Sequence, residues 1–379
     1  SCAVLSTACD MKGGTATSDP PKQVPAPTNK TTSGGGENQA GTGGTNTPAP
    51  SGSAATAKAK EDAKALAKAA WTALEKDYNR KGTGPKDPGG WGPDCEPGFS
   101  AFVLLGGLKC GLVQPDDPKV KDTVFAMISR QQANGSFVMG GKAGERAVYV
   151  TAIIVELLSY LRSVKASYST GANFQTSIGT AMEYIKRSQV GNPGSPEAVR
   201  GAKKETDWNY GGWAYSEEEL ASPDKAGKPR GNLSTSIFAL DAAAAFGVDK
   251  KDPLFVAAVT FLERNHNAGE VSKGVEITAN GKKVVDPKAT DEANYGGSRY
   301  SPDSSMAGMK EDGDGNLVLA SYGSMTYALL RGYLHAGLPK NDPRVQLAFK
   351  WLTRHFDLTR NMGFVNTADK ANADQRGVY

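Results

Sequence analysis

No stretch of this 379-residue chain approaches the ~18 consecutive apolar residues that a membrane-crossing helix requires. Charge of one sign is scarce too. Lys and Arg outnumber Asp and Glu by only 44 to 40, and no long basic patch stands out, so a nucleic-acid partner is not expected. The four cysteines include no Cys-x-x-Cys spacing, which argues against a zinc ribbon. Cys95 and Cys110 are close in sequence, and either could pair in an oxidising compartment. Large apolar side chains are almost missing from residues 10–56, which are mostly Gly, Ser, Thr, Pro, Ala and Asn. Such a run cannot bury enough surface to offset chain entropy. Residues 1–57 therefore read as a flexible tether and residues 58–379 as one large repeat domain.

The tether has a possible anchor. Leu5-Ser6-Thr7-Ala8-Cys9 resembles a bacterial lipoprotein box, with Ser6 where an aliphatic residue is usual, and Ser1-Cys2 offers a second cleavage point. The chain starts without Met, so an upstream segment is expected to have been removed or omitted. A lipid-bearing Cys on a long tether would hold an exported domain at a membrane periphery. A trimmed terminus with an incidental Cys is the competing reading.

What the sequence does have is recurrence. Trp208-Asn209-Tyr210-Gly211-Gly212-Trp213-Ala214-Tyr215 returns as Ala293-Asn294-Tyr295-Gly296-Gly297-Ser298-Arg299-Tyr300, and weaker relatives are Gly89-Gly90-Trp91, Gly135-Ser136-Phe137 and Gly363-Phe364. Between these elements helices of two kinds alternate. The amphipathic kind is expected over 58–79 (Ala63, Leu66, Ala70, Leu74 and Tyr78 on one face), 117–133, 174–189, 252–266 and 342–356. The kind apolar nearly all round is expected over 98–109, 147–161, 232–246 and 320–336, and must be buried. Asp117-Pro118, Asp252-Pro253 and Asp342-Pro343 open amphipathic helices, and Gly111, Gly247 and Gly337 close apolar ones. Strand signals are confined to polar inserts, with a small hairpin around Asn280-Gly281. The expected fold is all-α: an α/α toroid of about five helix pairs, with apolar helices inside and amphipathic helices outside. The last outer helix finds no inner partner in the sequence.

Each unit also carries a pattern ahead of its Gly-x-aromatic element: Ala73-Leu74 with Tyr78; Met127-Ile128 with Gln132; Tyr184-Ile185 with Gln189; Phe261-Leu262 with His266; and Trp351-Leu352 with Phe356. This resembles the QW repeat of squalene-hopene cyclases and the related prenyltransferase β-subunit repeat, over about residues 58–379. The resemblance implies that Gln132, Gln189, Trp91 and Trp213 are structural clasps between outer helices, and that a central cavity takes an isoprenoid chain.

It also implies chemistry that the residues do not carry. Triterpene cyclases use an Asp-x-Asp-Asp acid, which is missing here; Asp117 in Gln114-Pro115-Asp116-Asp117 is better explained as a helix cap. Protein prenyltransferases hold zinc with Asp, Cys and His; Cys110 and His335 lie near inner-helix ends, but no Asp-x-Cys pair exists and no metal or cofactor is expected. Asp312-Gly313-Asp314-Gly315-Asn316 reads as an ordinary turn in preference to a calcium loop.

Polar residues on inner helices are the remaining candidates: Glu156, Asp241, Tyr327, Arg331 and His335. Asp241 is either a proton donor or one half of a structural ion pair, for instance with Arg331. Asp207, Tyr210, Trp213, Tyr215, Tyr295 and Tyr300 could rim one mouth of the ring as ligand contacts, or simply stack within the repeat. The resulting expectation is a binder of an apolar, isoprenoid-like ligand or of a partner protein outside the cytoplasm; an active terpene cyclase or prenyltransferase-type enzyme is the alternative.

Overall fold

The computed structural model describes residues 52–80, 89–92, 95–139, 146–192, 202–204, 206–217, 231–269, 275–357 and 360–364. Both lipidation candidates, Cys2 and Cys9, and nearly all of the expected tether lie outside them. The described chain is mostly helical: α1 Gly52–Lys76, α2 Pro97–Lys109, α3 Pro118–Ile128, α4 Ala147–Ser163, α5 Ala172–Arg187, α6 Leu233–Phe246, α7 Pro253–Asn265, α8 Gly323–His335 and α9 Pro343–Arg354. Helix α1 thus starts at Gly52, ahead of the expected helix start at 58.

The even-numbered helices pack on one another in chain order, α2 on α4, α4 on α6 and α6 on α8. The odd-numbered helices flank them: α3 contacts α2 and α5, α5 contacts α4 and α6, α7 contacts α6 and α8, and α9 contacts α8. Two layers therefore exist, an apolar one and an amphipathic one. α4 and α6 are enclosed almost completely, whereas α8 leaves Tyr327 and Leu334 exposed and α2 leaves Phe102 and Val103 half-buried.

Local chemistry sets the helix ends. Asp117, Asp252 and Asp342 each accept a hydrogen bond from the backbone N–H two residues on, with Pro in the first helical position. Those carboxylates satisfy amides that a helix start would otherwise leave open. Gly111, Gly247 and Gly337 take left-handed conformations just beyond the apolar helices.

Helix α1 departs from expectation. Ala63, Leu66 and Ala70 are exposed, Leu66 to 72%, and only the C-terminal turns engage the body. Trp71 is buried against Gly107 and lies 6.0 Å from Trp91, and Trp91 Nε1 donates to Leu74 O at 2.6 Å. Trp71 therefore anchors the helix, and the apolar period upstream of it finds no packing partner.

The inserts form more sheet than expected. β1 (Asn79–Arg80) pairs antiparallel with β2 (Gly89–Gly90). β3 (Thr278–Ala279) and β4 (Lys282–Val285) make the hairpin around Asn280 and Gly281, both at positive φ. β5 (Met309–Glu311) and β6 (Leu317–Leu319) add a second hairpin, giving the order β3-β4-β6-β5 with β4 and β6 parallel. The turn of that hairpin is the Asp312 cluster: Asp312 Oδ1 accepts from the Asp314 and Asn316 amides at 2.9 Å. Trp208, Ile277, Val284, Leu317 and Leu319 form a small core of their own beneath the sheet.

Candidate functional site

The repeated motif is a clasp, and its geometry separates architecture from candidate chemistry. Gln189 Nε2 donates to Gly211 O and to Leu254 O, both at 2.9 Å, tying the end of α5 to the start of α7. Trp213 Nε1 donates to Ile185 O at 2.8 Å. One unit earlier the clasp is Gln131, not Gln132: Gln131 Nε2 donates to Gly135 O at 2.8 Å and Ser177 O at 2.9 Å. Gln132 turns outward and its amide reaches only Arg130 O, because α3 ends at Ile128 and the following turn shifts the register by one residue. One unit later His266 takes the role, with Nε2 3.1 Å from Gly296 O and Nδ1 3.2 Å from the Tyr333 hydroxyl.

The glycine that receives each clasp is held at positive φ: Gly135 at +85°, Gly211 at +84° and Gly296 at +93°. Each presses on the next amphipathic helix. A Cβ on Gly135 would fall 2.5 Å from Thr180 O of α5, one on Gly211 would overlap Ala257 O of α7, and one on Gly296 would sit 3.2 Å from Leu347 O of α9. Only a residue without Cβ permits both the conformation and the approach.

A second repeated contact runs from the clasp to the apolar layer. The backbone N–H of Trp91, Phe137, Trp213 and Ser298 donates to a hydroxyl in the first turns of the following apolar helix: Ser100 in α2, Thr151 in α4, Ser236 in α6 and Thr326 in α8, at 2.8–3.0 Å. Sequence reasoning missed these hydroxyls. A Ser or Thr at the fourth or fifth position of every apolar helix was the available signal.

The residues expected to rim the ring divide accordingly. Trp213 is fully buried in its clasp. Asp207 serves the loop: its carboxylate accepts from the Asn209 amide at 2.9 Å and its carbonyl accepts from Arg264. Tyr210 packs against Gly191, and the Tyr295 amide bonds Asp291 O at 2.8 Å. Tyr215 and Tyr300 do meet, their hydroxyls 2.5 Å apart, and their carbonyls accept from Val148 and Leu233 at the starts of α4 and α6. Tyr149 and Phe238 extend this aromatic cluster, with ring centres 4.4 Å apart.

None of those six lines a cavity of about 930 Å³ that lies among α4, α6 and α8. It is walled largely by apolar side chains such as Ile237, Phe238, Phe255, Met325, Ala328 and Leu330. Tyr327, Arg331 and His335 face it from α8, one turn apart in succession, and Asp241 faces it from α6. The structure brings these four together, including the Asp241–Arg331 pair that the sequence suggested. Asp241 is 3% exposed; Arg331 donates to its Oδ2, and His335 Nε2 stands 2.7 Å from its Oδ1. Behind it Glu156 of α4 is held by Lys109 of α2 at 2.5 Å.

Burial pushes the Asp241 pKa up; His335 and Arg331 oppose that push, and Glu156 adds to it. An ionised carboxylate this deep would cost several kcal/mol without its partners. The structural ion pair with Arg331 is therefore present, and a histidine joins it. Among the described residues no group of three or more His, Cys, Asp or Glu side chains is arranged to hold a metal ion, and no helix is long and apolar enough to cross a membrane. No family model and no curated protein matches this chain.

Proposed function

We propose that the helical body is an open α/α toroid that binds an apolar, isoprenoid-like ligand in the cavity among α4, α6 and α8 without turning it over. One observation carries the reading. The largely apolar cavity of about 930 Å³ holds its most deeply buried carboxylate, Asp241, between Arg331, which donates to Oδ2, and His335, whose Nε2 stands 2.7 Å from Oδ1. That volume is of the size that accepts a small-molecule ligand, and an apolar wall favours a hydrocarbon chain. An acid that protonates an alkene must keep its proton and present it to the substrate. Arg331 and His335 instead stand beside the two oxygens of Asp241 and oppose its upward pKa shift, of which burial is the largest cause.

The alternative, an active cyclase or prenyltransferase-type enzyme, draws on the same carboxylate, because burial raises its pKa while it faces the cavity. The domain is further proposed to work outside the cytoplasm, held by a lipid on Cys2 or Cys9 and a tether; this rests on residues 1–57 of the sequence alone.

The test is direct. The full chain is purified, bound lipid is extracted and identified by mass spectrometry, and the protein is then incubated with squalene or a prenyl diphosphate. Lipid recovered unchanged and no product are expected. Turnover that disappears in Asp241→Asn would overturn the binding reading in favour of the enzyme, and absence of any lipid would turn attention to a protein partner.

A further inference from the structure

We infer that the cavity's ligand is a long-chain amphiphile with a single anionic head, a carboxylate or a phosphate, received by Arg331, Lys109 and Lys250. The inference rests on the reading above that the cavity holds an apolar chain. It follows from which polar groups on the wall are already used. Both carboxylates already have cationic neighbours: Arg331 donates to Asp241 with His335 beside it, and Lys109 donates to Glu156.

The cations are not used up. Arg331 gives one nitrogen to Asp241 and keeps the rest of its five-donor fork, and Lys109 keeps two of three ammonium donors. Their side chains are 40% and 46% exposed, so those donors are reachable. Lys250 lines the same cavity and makes no ion pair among the described residues. Three cations thus face two carboxylates, and the unspent capacity is for donating hydrogen bonds.

Helix dipoles explain only part of this. Lys109 is the last residue of α2 and Lys250 follows the end of α6, positions where a cation offsets the negative helix end. Arg331 lies a full turn inside α8, and the dipole gives no reason for all three to converge on one apolar cavity. A neutral head would leave the three in competition with water. An anion with at least two acceptor oxygens matches the fork of Arg331 and one ammonium together. The tail would then run along Ile237, Met325 and Leu330.

The experiment uses the full chain, delipidated, with oleate, oleyl phosphate, oleyl alcohol and inorganic phosphate as probes in calorimetric titrations at pH 8. An oleyl anion is expected to bind at least about tenfold tighter than oleyl alcohol, as befits a charge-assisted hydrogen bond. The advantage should shrink with added salt and fall severalfold in Lys250→Gln, an exposed position whose change leaves the fold intact by circular dichroism. Lys109→Gln provides a second variant. Whichever of oleate and oleyl phosphate binds tighter identifies the head. Equal binding of alcohol and anion overturns the inference while the apolar-ligand reading survives. Failure of every oleyl compound overturns both. Inorganic phosphate binding as tightly as oleyl phosphate overturns the amphiphile and leaves a plain anion site.

Discussion

Replacing Gly211 by Ala tests whether the clasp is a backbone-to-backbone contact, and Gly247→Ala supplies the matched control. Both glycines sit at similar positive φ, +84° and +94°. Alanine in that conformation costs roughly 1–2 kcal/mol at either site. Their surroundings differ. A Cβ on Gly247 would meet nothing within 4 Å, whereas one on Gly211 would overlap the Ala257 carbonyl oxygen in the middle of α7. A helix carbonyl cannot swing aside as a side-chain tip can, so α7 as a whole must retreat. Overpacking of this kind costs a further ~1–3 kcal/mol. Gly211→Ala should therefore lose about 2 kcal/mol more than Gly247→Ala, read from urea midpoints at constant m-value for the full chain. Equal losses in the two variants would mean that the repeated glycine serves only its own turn, and the account of how successive outer helices are joined would fail.

Three further outcomes follow from the same contacts. His266 is buried and its pKa is depressed from 6.5 to about 4, chiefly by burial. The unfolded chain takes the proton first, so stability is complete above about pH 6.5 and declines as pH falls through about 4, by roughly 3 kcal/mol in all. His266→Gln, which restores the residue used at Gln131 and Gln189, should flatten that part of the stability–pH curve; a curve that keeps its slope assigns the titration elsewhere. Trp213→Phe should cost about 1–3 kcal/mol by denaturant titration, because the Ile185 carbonyl loses its donor in a buried setting. Arg331→Met should cost about 3 kcal/mol by stranding Asp241, and adding Asp241→Leu should recover much of that loss in a double-mutant cycle. Additive losses would show that the pair is not coupled.

Much of the helical plan could be read from residue types, and the reasons are local. Asp-Pro starts, Gly stops and all-apolar segments place α2 to α9 within a few residues of their observed ends, because each signal acts on its own turn. What could not be read depends on partners distant in the chain. The one-residue shift from Gln132 to Gln131 follows from where α3 unwinds, and the exposure of Leu66 follows from there being no surface opposite it. Strands β5 and β6 escaped notice because three residues carry too little alternation to register, and β6 becomes a strand by pairing with β4, more than thirty residues away. Among site candidates, Asp241, Tyr327, Arg331 and His335 were legible as polar residues on apolar helices. The aromatic group carried two readings in the sequence, ligand contact or stacking within the repeat, and Trp213, buried with its indole on the Ile185 carbonyl, serves the repeat.

That division has a structural cause. The hydroxyl contacts of the repeat fall at the N-terminal ends of the apolar helices: Ser100, Thr151, Ser236 and Thr326 take the clasp amides within the first five residues of their helices. Five ionisable residues of the cavity fall in the second halves of the same helices, Lys109 in α2, Glu156 in α4, Asp241 in α6, and Arg331 and His335 in α8, and Lys250 follows just past the end of α6. Because the clasps fix all four starts in a common register, those second halves lie side by side, close enough for Lys109 to reach Glu156 and Arg331 to reach Asp241 across helix pairs. One end of the layer is thus committed to holding the units together, and side chains at the other end can change without breaking a clasp. A substitution such as Lys250→Gln should accordingly alter what the cavity binds at little cost in stability, while one at Ser236 should unfold the unit it joins.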